Sequence, residues 1–183
     1  MFLDILNQNY DKDIIPFIKN GIIVDTSIIK IIIDGLISTR ISGRKLKDLP
    51  DYQKLLNLFD YMKVNNRWDK FFITPHILTE VCTHLRNNYS KWHNYKSIVN
   101  EVLPILEKIE EKSVAKRDII NCIDFKNPVI EIGDISIFVV AENFLATVER
   151  VAILAKDEEL NRRYQYNPNV MVMDYENIML NLL

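Results

Sequence analysis

Short apolar runs alternate with amphipathic stretches along most of the chain, and this alternation is its main structural signal. The stretches between the runs carry apolar residues at helical spacing, as in Leu55, Leu58, Phe59 and Met62. The apolar runs themselves predict four β-strands, at 21–25, 71–73, 151–155 and 170–173. Strands that alternate with helices favour an α/β fold, with a mostly parallel sheet covered on both faces.

Capping and helix-breaking residues predict where the helices begin and end. The isoleucine-rich run at 28–33 favours a strand by propensity, but Ser27 as N-cap and Gly35 as terminator favour a short helix. Thr74 and Pro75 predict a helix that begins at Pro75. Further helices are predicted at 51–64, 88–113 with a break near Pro104, 119–123, 133–145, 157–164 and 175–182. The polar, basic stretch at 38–50 is predicted as a loop.

Composition and charge restrict the class of protein. The 183 residues suit one domain, and the formal net charge of −2 lacks the strong positive excess of many nucleic-acid-binding proteins. Cys82 and Cys122 form no C-x-x-C pair, so we expect reduced, buried thiols. The first residues lack a basic n-region, and no apolar run is long enough to span a bilayer. These features predict a cytoplasmic protein without a membrane partner.

Four acids stand beside apolar elements. Asp25 follows the first strand, Asp157 follows the strand at 151–155, Asp134 opens a helix, and Glu80 lies in the second turn of another helix. Because sites in parallel sheets form outside the carboxyl ends of the strands, we expect these acids to project toward one crevice. Carboxylate oxygens suit Mg²⁺ or Mn²⁺, and a cation would offset their mutual repulsion. The pattern therefore suggests a metal site.

The segments that carry these acids resemble a known family. GIIVDTSII, TPHILTEVCTHL, GDISIFVVAENF and VAILAKDEEL look like the four signature segments of PIN-domain nucleases, including VapC-type toxins. The resemblance implies a three-layer α/β/α sandwich with a central, mostly parallel sheet. It also implies one PIN-like domain over 1–183, with a helical elaboration at 84–130. The 28–33 run then belongs to a helix, and the implied activity is Mg²⁺- or Mn²⁺-dependent hydrolysis of RNA by an endoribonuclease.

The resemblance assigns roles to particular residues. Asp25 and Asp134 would be the most direct metal ligands, and Glu80 and Asp157 would complete the catalytic set. Thr26 and Ser27 would orient Asp25 or a water molecule. The family commonly has Thr or Ser two residues before the last acid, where this chain has Ala155. That lost hydroxyl is expected to weaken the orientation of a metal.

Basic residues near these segments are candidates for RNA binding, because Lys and Arg neutralise phosphates. They are Arg40, Arg44, Lys45 and Lys47 after the first segment, and Arg162 and Arg163 after the last. The RNA substrate is the expected partner. An antitoxin-like protein and a second copy of the chain, in a homodimer, are further candidate partners suggested by the resemblance.

Three alternatives remain open at this stage. A catalytically weak or inactive PIN-like module would bind RNA or a protein. His76, Glu80 and His84 share a helix face and form a different candidate metal triad, although their spacing is not H-E-x-x-H. A different α/β phosphoryl-transfer enzyme is the third alternative, but no G-x-x-x-x-G-K-[ST] loop is present.

Overall fold

A five-stranded sheet forms the centre of the fold, and all of its strand pairs are parallel. The structure is a computed structural model that describes residues 14–156 and 158–174. Across the sheet the strand order is β3-β2-β1-β4-β5, which puts β1 in the middle. The strands are β1 (Ile22–Val24), β2 (Phe71–Ile73), β3 (Glu110–Glu111), β4 (Val151–Ala155) and β5 (Val170–Asp174). The predicted α/β class with a parallel sheet is confirmed.

Helices cover both faces of the sheet. They are α1 (Thr26–Arg40), α2 (Pro50–Tyr61), α3 (Pro75–Tyr89), α4 (Tyr95–Leu106), α5 (Lys116–Asn121), α6 (Ile132–Leu145) and α7 (Glu158–Tyr164). Since crossovers between parallel strands are right-handed, the strand order assigns α1–α4 to one face and α5–α7 to the other. In agreement, α1 packs against α2, α3 and α4, while α5 packs against α6. The three-layer α/β/α sandwich is therefore confirmed.

The central strand β1 is buried between β2 and β4, and its carboxyl end leads directly to Asp25. All three residues of β1 are at most 1% exposed, as expected for a strand buried on both faces. Ile22 lies opposite Phe71 of β2 on one side and Ala152 of β4 on the other. The backbone N–H of Asp25 donates to the carbonyl of Leu154 at 3.0 Å. Asp25, the first residue after β1, therefore lies beside the carboxyl end of β4.

Two predictions about the ends of helix α1 are wrong. Asp25 is the N-cap rather than Ser27, and the helix continues through Gly35 to Arg40 instead of stopping at the glycine. Gly35 is buried, and a Cβ at this position would lie 2.1 Å from Cγ of Tyr52. Because Gly35 has no side chain, the ring of Tyr52 from α2 can pack against the backbone of α1. The glycine therefore serves helix packing rather than helix termination.

Two further differences concern the predicted loop and break. The stretch 38–50 is only partly a loop, because it contains the end of α1, a 3₁₀ turn at Leu46–Asp48 and the first residue of α2. Pro104 lies inside α4 rather than at its end, so that helix has lost one backbone donor. The predicted closing helix at 175–182 lies outside the described residues.

The prediction that both cysteines are buried is wrong. Both thiols are free, Cys122 is half-buried, and Cys82 is exposed. Cys82 follows the buried Val81 directly in α3, and successive helical positions point about 100° apart, which turns its side chain outward. In the described part of the chain, no helix is long and apolar enough to cross a membrane.

Candidate functional site

Asp25 closes the carboxyl end of β1 and caps helix α1. Its Oδ1 accepts from the backbone N–H of Thr26 at 2.6 Å, and its Oδ2 accepts from the N–H of Ser27 at 3.2 Å. The hydroxyl of Ser27 also donates to Oδ2, at 2.5 Å. A carboxylate at a helix N-terminus is favoured by the free N–H groups and by the helix dipole. Ser27 and the helix together fix the orientation of Asp25.

The neighbouring Thr26 connects α1 to α3. Its hydroxyl donates to Oε2 of Glu80 at 2.6 Å, and the side chain is buried, with the residue 4% exposed. Glu80 lies in the second turn of α3, a helix that begins at Pro75 as predicted, with Thr74 as its N-cap. The Thr74 hydroxyl accepts from the N–H of Ile77 at 3.3 Å, as N-caps commonly do. Thr26 thus orients Glu80, whereas the sequence suggested Asp25 or water.

Glycine at 133 brings the same glutamate against α6. A Cβ at Gly133 would lie 2.7 Å from Oε1 of Glu80, so the carboxylate rests on bare backbone in the first turn of that helix. Asp134 is the next residue and the acid of this first turn. Glu80 of α3 therefore contacts α6 at the residue that precedes Asp134.

A buried pair of hydroxyls fixes how α3 and α6 meet. Oγ of Ser136 lies 2.6 Å from Oγ1 of Thr74, and it donates to the carbonyl of Gly133 at 2.6 Å. Thr74 and Ser136 are both fully buried. Buried polar atoms are costly unless paired, so this pair favours one relative placement of the two helix starts. No pattern in the sequence indicates this contact, although both residues lie within the segments quoted above.

Three of the four predicted acids, Asp25, Glu80 and Asp134, thus lie at the carboxyl end of the sheet, although they are not all in direct contact. Asp25 and Glu80 are linked through Thr26, and Glu80 touches Gly133 beside Asp134. Asp157 lies outside the described residues. Among the residues that the structure does describe, no group of three or more His, Cys, Asp or Glu side chains is close enough to hold a metal ion. Ala155 is fully buried at the end of β4.

The first group of predicted basic residues lies away from this edge. Helix α1 advances about 1.5 Å per residue, so Arg40 at its last position is about 20 Å from Thr26 at its first. Arg40 pairs with Glu101 of α4 at 3.0 Å, and Arg44 and Lys45 are exposed in the turn that follows α1. Lys47 is also exposed, in the 3₁₀ turn. The structure does not bring Arg40 near Asp25.

The second basic pair, Arg162 and Arg163, lies in the last turn of α7 and is engaged with neighbours. Arg162 pairs with Glu159, and Arg163 pairs with Asp124 while its guanidinium stacks 4.2 Å from the ring centroid of Phe138 in α6. Arg162 is largely exposed, whereas Arg163 is mostly covered. Arg162 therefore remains the more accessible of the two for a phosphate.

The alternative histidine triad does not form. His84 Nε2 lies 2.7 Å from Oδ1 of Asp34, and the same oxygen accepts from the hydroxyl of Tyr89 at 2.6 Å. Burial and the bond to Asp34 raise the pKa of Tyr89 well above its ordinary value. His76 has a buried Nδ1 without a hydrogen-bond partner among the described residues. His84 thus turns to α1 instead of joining Glu80.

Sequence spacing could have suggested the Asp34–His84 contact. Asp34 lies eight residues after Thr26 on α1, and His84 lies four residues after Glu80 on α3. The two helices pack against each other, so polar residues at helical spacing on each form successive contacts along one interface.

Comparisons with known proteins add no relative. No family model matches the chain, and neither a curated protein nor a solved structure matches it. The resemblance to PIN-domain nucleases therefore depends on the four quoted segments.

The bond between Thr26 and Glu80 makes a testable contribution to stability. We expect Thr26→Val to lower the free energy of unfolding by about 2 kcal/mol, because it leaves a partly buried carboxylate without its donor. Thr26→Ser keeps the hydroxyl and should cost only about 1 kcal/mol for the lost methyl group. Urea unfolding followed by circular dichroism measures both. Equal losses for the two variants would show that the hydrogen bond contributes nothing.

Proposed function

We propose that the protein is a metal-dependent endoribonuclease that hydrolyses RNA phosphodiester bonds at the carboxyl edge of its sheet. The observation that carries this proposal is the contact series from Asp25 through Thr26 and Glu80 to Gly133, next to Asp134. It joins residues from three separate segments of the sequence at the end of the central strand. Sites in parallel α/β sheets occupy this position.

The donor set suits a hard divalent cation. Asp25, Glu80 and Asp134 offer only oxygen ligands, which Mg²⁺ and Mn²⁺ prefer. Glu80 uses one oxygen for Thr26, while its Oε1 makes no hydrogen bond within the described residues and rests where Gly133 has no side chain. Each carboxylate has about four acceptor sites, so the bonds to Asp25 leave capacity on that group as well. Asp157 completes the proposed set.

In this proposal, the bound cation would lower the pKa of a water molecule and neutralise charge on the phosphate. The role of the protein residues in this proposal is to orient the carboxylates. The first turns of α1 and α6 fix Asp25 and Asp134, and Thr26 holds Glu80 between them. Arg162, on the exposed face of α7, is the proposed contact to the RNA backbone.

Cleavage assays test this proposal directly. Purified protein is incubated with a panel of structured and single-stranded RNAs in Mn²⁺, in Mg²⁺ or in EDTA, and the product ends are mapped. We expect internal cuts at defined positions in either metal and none in EDTA. Intact RNA under all conditions, from protein that is folded by circular dichroism, would contradict the enzymatic proposal.

A catalytically weak or inactive module that binds RNA or a protein is the second candidate. The specific observation that favours it is the lack of a three-carboxylate cluster within the described residues, together with Ala155 in place of a hydroxyl. Calorimetric titration with Mn²⁺ separates the two candidates. Heat that Asp25→Asn abolishes supports the nuclease, and no heat at millimolar metal supports the module.

Partners and location belong to the same proposal. Control by an antitoxin-like protein predicts that expression of the chain alone arrests growth and that a co-expressed neighbouring gene relieves the arrest. A homodimer is tested by light scattering of the purified protein. We also propose a cytoplasmic location, where the proposed RNA substrate would be available.

A further inference from the structure

A cleft of about 450 Å³ lies at the end of α1 remote from Asp25. It is enclosed by the later turns of α1, by α2, by α4 and by the turn before β2. Its volume is within the range of small-molecule sites, about 300–1,000 Å³. Arg40 at its rim is about 20 Å along α1 from Thr26, so the cleft is separate from the carboxylate edge.

Apolar and aromatic side chains form part of the lining of the cleft. Ile32, Leu36 and Ile105 contribute aliphatic side chains, and Tyr52 and Trp68 contribute rings. Trp68 is held by two aromatic neighbours, since its ring centroid lies 6.2 Å from that of Phe59 and 5.8 Å from that of Phe71. A fixed ring loses little freedom when a flat ligand packs on it.

The lining also contains hydrogen-bonding groups that no other described residue uses. The side-chain amides of Asn66 and Asn100 make no hydrogen bond to any described residue, and both line the cleft. Pro104 has no N–H to donate to the carbonyl of Asn100, four residues before it in α4. That carbonyl therefore lacks its helical partner. The result is a set of free donors and acceptors in the same lining as the apolar side chains.

The charges at the rim complete the description. Arg40 and Glu101 neutralise each other in an ion pair of 3.0 Å. Lys108 also lines the cleft, is exposed, and has no ion pair within the described part of the chain. A single unneutralised cation beside the cleft favours a ligand with one anionic group.

We propose that this cleft binds a nucleotide. The flat base would pack against Trp68, and its donor and acceptor edge would meet the amides of Asn66 and Asn100, because side-chain amides pair well with base edges. The phosphate would meet Lys108. The ligand is a free nucleoside monophosphate or one nucleotide of an RNA chain, which share this chemistry.

Nucleotide binding here is independent of the proposed nuclease activity and is tested in EDTA, without catalysis. The sequence has two tryptophans, and Trp92→Phe leaves Trp68 as the only one. Its fluorescence is titrated with each of the four ribonucleoside 5′-monophosphates, with inorganic phosphate and with a hexaribonucleotide. We expect at least one monophosphate to change the emission with a Kd on the order of 100 µM, within the range for ligands of this size.

Variants assign the binding to the cleft. Asn100→Ala and Lys108→Ala should each weaken the nucleotide about 10-fold, while Asn57→Ala, an exposed asparagine on α2 outside the cleft, should leave Kd unchanged. Tighter binding of the hexamer than of any monophosphate would identify an RNA nucleotide as the ligand, and the reverse a free nucleotide. No response to millimolar nucleotide, an equal response to inorganic phosphate, or insensitivity to both cleft variants would overturn the proposal.

Discussion

Asp25→Asn is expected to reduce Mn²⁺-stimulated RNA cleavage by at least about 100-fold while the protein stays folded. The variant replaces a charged ligand with a neutral amide, and losses at groups that merely support a metal already reach about 10- to 100-fold. Asn caps helices about as well as Asp, so the free energy of unfolding should change by less than about 1 kcal/mol. Initial rates on one mapped RNA substrate, with thermal unfolding alongside, measure both effects.

A matched control separates the role of Asp25 from a general loss of negative charge. Asp118→Asn removes an acid from the first turn of α5, away from the contacts of Asp25. It should leave the cleavage rate unchanged. Fluorescence anisotropy with labelled RNA should show that Asp25→Asn still binds the substrate, because the lost step is chemical. If Asp25→Asn cleaves at the wild-type rate, Asp25 is not a metal ligand and the assigned site is wrong.

Gly21→Ala is expected to destabilise the fold by about 3 kcal/mol, in two ways that add. Gly21 has φ +105, a conformation that costs a side-chain-bearing residue roughly 1–2 kcal/mol. A Cβ would also lie 2.2 Å from Cε2 of Phe72, a ring that stacks on Phe144 at 5.1 Å and is nearly buried. Crowding of this kind typically costs about 1–3 kcal/mol. The midpoint of thermal unfolding should fall by about 6–12 °C.

Gly43→Ala is the control for backbone strain alone. Gly43 also has a positive φ, of 66°, but nothing lies within 4 Å of a Cβ built on it. Its substitution should cost about 1 kcal/mol. Phe72→Leu in the Gly21→Ala background should recover part of the difference, which a double-mutant cycle measures. Equal losses for the two glycine variants would show that the ring yields and that Phe72 does not hold the start of β1 in place.

The sequence predicted those parts of the fold that local pattern determines. The runs at 21–25, 71–73 and 151–155 contain the observed strands, because continuous apolar residues suit a sheet buried on both faces. The start of α3 at Pro75 followed from capping chemistry. Features that depend on distant residues were missed. β3 consists of Glu110 and Glu111, which have no strand signal and pair with β2 only because the chain arrives beside it.

The candidate site was predictable in part for the same reason. Strand ends and helix starts placed Asp25, Glu80 and Asp134 at one edge of the sheet, since topology alone brings such positions together. The side-chain partners were not predictable. The bond from Thr26 reaches Glu80 across 54 positions, and the glycine at 133 gave no indication that a carboxylate rests on it. Gly35 was misread because its partner, Tyr52, belongs to another helix.

The contact between Thr74 and Ser136 spans 62 positions, which has a consequence for the order in which the chain folds. Closing so long a loop is entropically costly, so this contact is expected to form after the local helices. Opening of the first turn of α6 would then separate Asp134 from Glu80 while the sheet and most helices persist. Amide hydrogen exchange should show earlier loss of protection at the amides of this helix from Ile135 onward than in β1 or β4, because Ile135 donates to Glu131 across that turn. Such partly open molecules would keep their helical spectrum without an assembled site.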